Sequence, residues 1–409
     1  MTPNGADSGV LKFHDPLILK EGDCYYCFST DTNIEGVQIS VSGDLVNWKL
    51  HRAALAEIPP EVVRHTGKIP AGPRAGKVNF WAPEVVKTEG EYRLYFCSSQ
   101  FGASQSMIGL AASAAIDGPY QYRGCVLKTY HTGRFDDPNA IDPCVARDVD
   151  GLHYLVYGSF FGGIFITPLD SDGFMTKPGY GKCIAGGDHT PVEGAYILYD
   201  KEGGRFCLFL SYGSLMRDYQ IRAAYSQNIE GPYIDSAGRE MTNLDPVLSV
   251  GDKIAGGYNF DTGGEEGFMA PGHNSLLSLD DGLYMAHHIR REGVLSPSYM
   301  HIRKVFFSKK RQVFVSPVPL GSAGTEEAIP EKDDLAGSVS VVRHDPFNNG
   351  VTYGRKINFS DLNLRLEERG VCSLRLYNTD YEGRIFTRGG IVYFTAISEA
   401  GECVWGRSC

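Results

Sequence analysis

Five times along this chain a polar signature precedes an apolar run, a glycine-marked turn and a second apolar run. The copies are HDPLILKEGDCYYCFST (14–30), WAPEVVKTEGEYRLYFCSS (81–99), IDPCVARDVDGLHYLVYGS (141–159), PVEGAYILYDKEGGRFCLFLS (191–211) and APGHNSLLSLDDGLYMAHH (270–288). Each reads as a β-hairpin, because two short apolar runs joined by a Gly/acidic turn favour antiparallel pairing. The copies recur irregularly, at roughly 50 to 80 residues, the spacing of four-stranded propeller blades with unequal insertions. IDGPYQY (116–122) and IEGPYID (229–235) read as outer turns leading into edge strands.

A blade cannot bury both of its faces alone, so five of them are expected to close into a wheel. The predicted fold is all-β: a five-bladed β-propeller over residues 1–320, then a small C-terminal antiparallel β-barrel or sandwich over 321–409. That second unit follows a Pro/Gly/acidic stretch, VFVSPVPLGSAGTEEAIPEKDDLAG, and comprises alternating segments such as INFSDLNLRL and IVYFTAI. The 49 glycines, 23 tyrosines and 21 phenylalanines suit short strands and tight turns. No long 3.6-residue period is apparent, so the connections are expected to be turns and not helices.

In such a wheel the innermost strand of each blade lines the central channel. The five leading residues, Asp15, Glu84, Asp142, Glu193 and His273, should therefore converge at one end of it. Carboxylates crowded into one pocket repel, and a site that moves protons has a use for them. An environment that raises one pKa while keeping another group ionised separates a general acid from a general base, as acetal cleavage requires. An Asp before Pro is ordinarily a turn residue, and it is the shared register that gives Asp15 a site. Asp136 and Asp137 in RFDDPN fall outside the register and read as loop residues.

The formal net charge is −10 with no long run of either sign, which excludes a phosphate-tracking surface and hence nucleic acid as a partner. No stretch approaches the roughly 20 apolar residues of a membrane span. The first residues, MTPNGADSGVLKF, lack the basic start and apolar block of a secretory leader, leaving an intracellular protein or a secreted one with its leader removed. Most of the ten cysteines sit in apolar runs and are expected as reduced core thiols. The Cys24/Cys27 pair has no second CxxC and reads as filler. A monomer is expected.

The run NAIDPCVARDVDGLHYLVYGSFFGGI (139–164), together with HDP, WAPE, VEGAYI and GHNS in this order, resembles the family-43 glycoside hydrolases, and among them the endo-1,5-α-L-arabinanases. The resemblance covers about residues 10 to 320. It implies that Asp15 is the general base, Glu193 the general acid, and Asp142 a third carboxylate that raises the pKa of the acid. It also implies inversion at the anomeric carbon, for which base and acid stand roughly 6.5 to 9.5 Å apart. His273 would hold one channel cation mostly through waters, calcium by the resemblance and sodium as the alternative. His287 and His288, at the far end of that hairpin, are not expected as ligands.

Sugar contacts are expected from Trp81, then Ser159, Phe160 and Phe161, since the apolar face of a furanose stacks on aromatic rings. The family often has Trp where this chain has Phe161. Asn139 and Arg222 complete the expected contacts, Arg222 by its match to an arginine the family keeps near the carboxylates. Phe101 and Tyr212 stand between cleft wall and core. The C-terminal unit resembles the ancillary domain of longer arabinanases and is expected to stabilise the propeller. The activity implied is endo cleavage of α-1,5-linked arabinan. An exo-arabinanase, an α-L-arabinofuranosidase or a β-xylosidase of the same family, and a non-catalytic carbohydrate-binding propeller, remain as alternatives.

Overall fold

A computed structural model describes residues 11–245, 247–263, 267–293, 297–321 and 327–409. Each repeated hairpin is the inner half of one blade. The first blade runs Leu17–Glu21, Cys24–Ser29, Gln38–Ser42 and Lys49–Ala53, and the second Trp81–Lys87, Tyr92–Ser98, Ser106–Ser113 and Gln121–Thr129. The third comprises Cys144–Arg147, His153–Tyr157, Ile164–Pro168 and Lys182–Ala185, and the fourth Val192–Asp200, Arg205–Tyr212, Gln220–Ser226 and Asp252–Ala255. The fifth is built on Phe268–Leu279, Gly282–Arg291, Tyr299–Phe307 and Val313–Val315. All pairings within these strands are antiparallel.

Burial between neighbouring blades closes the wheel. One cluster joins Phe28 and Ile39 to Leu94 and Phe96 across the first and second blades, and another joins Tyr95 and Ile108 to Leu155 and Tyr157 across the second and third. Val156 and Ile164 meet Leu208 and Leu210, Phe209 and Ile221 meet Met285 and Ile289, and Leu277 and Ile302 return to Phe13 and Ile18. The closing seam is pinned by the Ser275 hydroxyl donating to the Pro16 carbonyl at 2.7 Å and by Phe13 N–H donating to the Ser298 carbonyl at 3.2 Å.

Seven strands between Ser338 and Ser408 form one antiparallel sheet after the propeller. Val339 and Val341 share a core with Leu374 and Leu376, although three strands lie between them in the sheet order, so the sheet curls around its own interior. Its other buried side, with Val342, Ile397, Cys403 and Trp405, is continuous with the core between the fourth and fifth blades. Thr352–Tyr353 pairs in parallel with Tyr258–Asn259 and so adds a strand to the fifth blade.

Two expectations need correction. The connection from the first to the second blade contains a seven-residue α-helix, Pro60–Thr66, with Pro in its first turn and Glu61 near its positive end. Seven residues are too few to display a period. IDGPYQY does lead into the outer strand Gln121–Thr129, but IEGPYID makes only single bridges at Ile234, and Asp252–Ala255 serves as the fourth strand there. The ten cysteines are free, and Cys27, Cys97, Cys144, Cys207, Cys372 and Cys403 are buried.

Candidate active site

The signatures share a backbone device. Asp15 (φ 52°), Ala82 (39°), Asp142 (56°), Gly194 (62°) and His273 (48°) all adopt the left-handed region. An L-residue there costs on the order of 1–3 kcal/mol and persists only where its surroundings dictate it. The kink, with β-bulges at Trp81/Glu84 and Glu193/Tyr196, turns the start of the inner strand so that its leading side chain faces the axis.

Asp15, Asp142, Glu193 and His273 line one cleft of about 540 Å³ at the end of the channel. His273 Nδ1 lies 3.1 Å from Asp15 Oδ1 and 3.9 Å from Asp142 Oδ2, so one ring nitrogen reaches carboxylates of two blades. Asp142 Oδ2 accepts from Gly194 N–H at 3.1 Å, which ties the third blade to the residue after Glu193. Thr30 Oγ1 donates to Asp15 Oδ2 at 2.5 Å, and His14 Nδ1 lies 2.8 Å from Asp15 Oδ1. Glu193 is held from both sides: Ser159 Oγ donates to Oε2 at 2.5 Å and the Tyr219 hydroxyl to Oε1 at 2.8 Å.

The electrostatics separate these carboxylates. Burial alone would raise the Asp15 pKa, yet the positive fields of His14 and His273 and their hydrogen bonds hold it well below the usual range. Burial raises Glu193, against the opposing pull of Ser159 and Tyr219. It also raises Asp142, with the charges of Glu193 and Asp15 adding to it. Asp15 is thereby shifted towards its ionised form, and Asp142 and Glu193 towards their protonated forms. Burial would lower His273, but Asp15 and Asp142 override it and lift its pKa to about 9. Glu84 also sits in the channel, pushed up to about 8 by burial, and lies outside the residues lining the cleft.

Trp81, Asn139, Ser159, Phe160, Phe161 and the strongly exposed Phe101 all line the cleft. Asn139 is buried beneath it, accepting from Ser106 Oγ at 2.6 Å and donating to the Ser159 carbonyl at 3.3 Å. Asp136 pairs with Arg134 on the surface, as a loop residue should. Tyr212 belongs to the core.

Arg222 is not a cleft residue. In the fourth blade Glu193 pairs with Ser211 and Ser211 with Ile221, so period-two alternation turns Arg222 to the opposite face. Its buried guanidinium donates to Gln220, Ser249 and the carbonyls of Val250 and Pro346, bracing the propeller against the C-terminal sheet. His288 is the converse case, since the register sets it opposite Gly272 beside the fifth signature and not at a far end. Asp15 N–H donates to its Nδ1 at 3.3 Å, and its ring stacks between His14 and Tyr219. Burial lowers its pKa to about 3, so the ring is neutral.

The model of the glycosyl hydrolases of family 43 matches residues 10–320. An extracellular endo-α-(1→5)-L-arabinanase of Thermotoga petrophila is 32% identical over 363 residues, covering 81% of this chain and 75% of that protein. A second such enzyme, extracellular endo-α-(1→5)-L-arabinanase 2 of Bacillus subtilis, is 26% identical and covers 97% of this chain and 92% of its own length. The crystal structure of the endo-1,5-α-L-arabinanase of Thermotoga petrophila superposes with a TM-score of 0.83 at 29% identity, covering 97% of this chain and 98% of the other. The propeller, its inward-facing carboxylates and these matches place the chain in one group: it belongs to the glycosyl hydrolases of family 43.

Proposed function

We propose that this protein is an endo-acting hydrolase of α-1,5-linked L-arabinan that inverts the anomeric centre. The observation that carries the reading is the meeting of Asp15, Asp142 and Glu193, from three blades, around His273, with the pKa of Asp15 lowered and those of Asp142 and Glu193 raised. The endo-arabinanase relatives align over the C-terminal unit as well as the propeller, which supports endo action over the exo, arabinofuranosidase and xylosidase alternatives. That these relatives are extracellular enzymes supports the secreted of the two locations.

In this reading Asp15 takes a proton from a water on the face of the sugar opposite the leaving group. Glu193, oriented by Ser159 and Tyr219, gives its proton to the departing O5. Asp142, when ionised, would raise the pKa of the acid, and it holds the following strand through Gly194 N–H. Trp81, Phe160 and Phe161 supply apolar faces and Asn139 supports the wall.

The expected channel cation fits these residues. Asp15, Asp142 and Glu193 gather around His273, so oxygen donors of three blades stand beside that imidazole. His273 Nδ1 is engaged with Asp15, so Nε2, on losing its proton, would be the ligand atom. When bound, calcium or sodium would supply positive charge that balances these carboxylates.

Digestion of linear arabinan tests the reading. Mixed oligosaccharides should appear early, and Glu193→Ala or Asp15→Ala should cost about a hundred- to ten-thousandfold in turnover. A single product throughout would assign exo action, and undiminished variants would remove the catalytic assignment.

A further inference from the structure

We infer that Phe135 and His189 form an outer sugar subsite, a stacking platform for a pentofuranose unit of the polymer beyond those flanking the scissile bond; this rests on the arabinan-hydrolase reading. The loop that carries Phe135 holds the RFDDPN run. Its local polar contacts are self-contained: Asp136 pairs with Arg134, and Asp137 Oδ2 accepts from Thr132 Oγ1 at 2.5 Å. Its backbone, however, is clamped to the cleft wall. Gly162 N–H donates to the Asp137 carbonyl at 2.8 Å, and a Cβ on Gly162 would stand 2.7 Å from the Asp136 carbonyl oxygen. The wall turn is clamped in turn to His189, whose N–H donates to the Phe161 carbonyl at 2.7 Å while Phe161 N–H donates to its Nδ1 at 3.3 Å.

These three loops bring four aromatic rings together. Centroids of Phe135, Phe161 and Phe160 lie 4.8, 5.0 and 5.6 Å from that of His189. The backbone is strained here: Phe160 (φ 51°), Phe161 (36°), Asp188 (46°) and His189 (59°) are all left-handed without being glycine. Strain of this kind gathers where a binding surface over-determines the chain. Packing does not account for Phe135 either, since the residue is 59% exposed and its ring lies against His189. Phe160 and His189 line the cleft, and Phe135 extends that surface past it. An apolar face presented beside an imidazole matches a sugar ring, which stacks its C–H face and offers hydroxyls at its rim.

The test is kcat/KM on linear arabino-oligosaccharides of increasing length for the wild-type chain, Phe135→Ala, Phe135→Trp and His189→Ala. Phe135→Ala should lower the value for the longest substrates about three- to tenfold more than for the shortest ones cleaved, through KM, and Phe135→Trp should restore it. Losses by the same factor at every length, or no loss at any, would overturn the inference. A wild-type chain inert on every length would overturn the hydrolase reading itself, before any variant is compared.

Discussion

Gly272→Ala would report on the acid from a position that touches neither substrate nor proton. Gly272 has ordinary backbone angles, so alanine meets no conformational penalty there, only a steric one. Its new Cβ would stand 1.8 Å from Tyr219 Cδ1 and 2.1 Å from Cε1, where ordinary contact is 3.4–4 Å. The ring must retreat by well over an ångström, and it cannot do so in place, because His288 is stacked 5.6 Å away and Asp15 lies behind it. The 2.8 Å hydrogen bond from Tyr219 to Glu193 Oε1 is then lost and the carboxyl is held by Ser159 alone. Misplacement of a catalytic group by about 1 Å costs on the order of a hundredfold in turnover, and overpacking costs about 1–3 kcal/mol of stability. Steady-state kinetics on linear arabinan with a melting curve for the same sample would measure both. The expected result is a folded enzyme whose kcat falls about a hundredfold, against a smaller loss for Tyr219→Phe, which deletes the hydroxyl without moving the ring. A folded Gly272→Ala with kcat within twofold of the wild type would refute the claim that Tyr219 positions the acid.

Two further outcomes follow from the same geometry. Ser159 and Tyr219 both stabilise the ionised form of Glu193, so Ser159→Ala or Tyr219→Phe should raise its pKa further and move the alkaline limb of the pH profile of kcat/KM to higher pH; a limb that stays or moves down would contradict this. Arg222→Met strands several buried acceptors and should cost at least about 2 kcal/mol in chemical denaturation with KM for arabinan unchanged, whereas a raised KM in a stable variant would return Arg222 to the cleft.

The wheel and its carboxylates were legible because the signatures repeat: each inner strand starts with the same kink, so residues in equivalent positions meet at the axis. What joins them from elsewhere carried no such mark. Tyr219 reaches Glu193 from the turn before Gln220–Ser226, outside any repeat, and its only sequence signal is an aromatic placed ahead of a strand. His288 read as distant because the hairpin was counted along the chain, but an antiparallel return brings the end of the second strand back to the start of the first. Arg222 failed on the alternation of faces, which a register reveals and a motif match does not. Thr352–Tyr353 is a two-residue strand added in parallel, too short for any periodicity to announce it.

The anomeric configuration of the first product formed from linear arabinan, followed by proton NMR before mutarotation, bears most directly on the roles given to Asp15 and Glu193. Water activated by Asp15 on the face opposite the leaving group predicts that the β-anomer appears first. An α-anomer appearing first would mean two displacements through a covalent intermediate, and Asp15 could not then be the base that activates water for a single step.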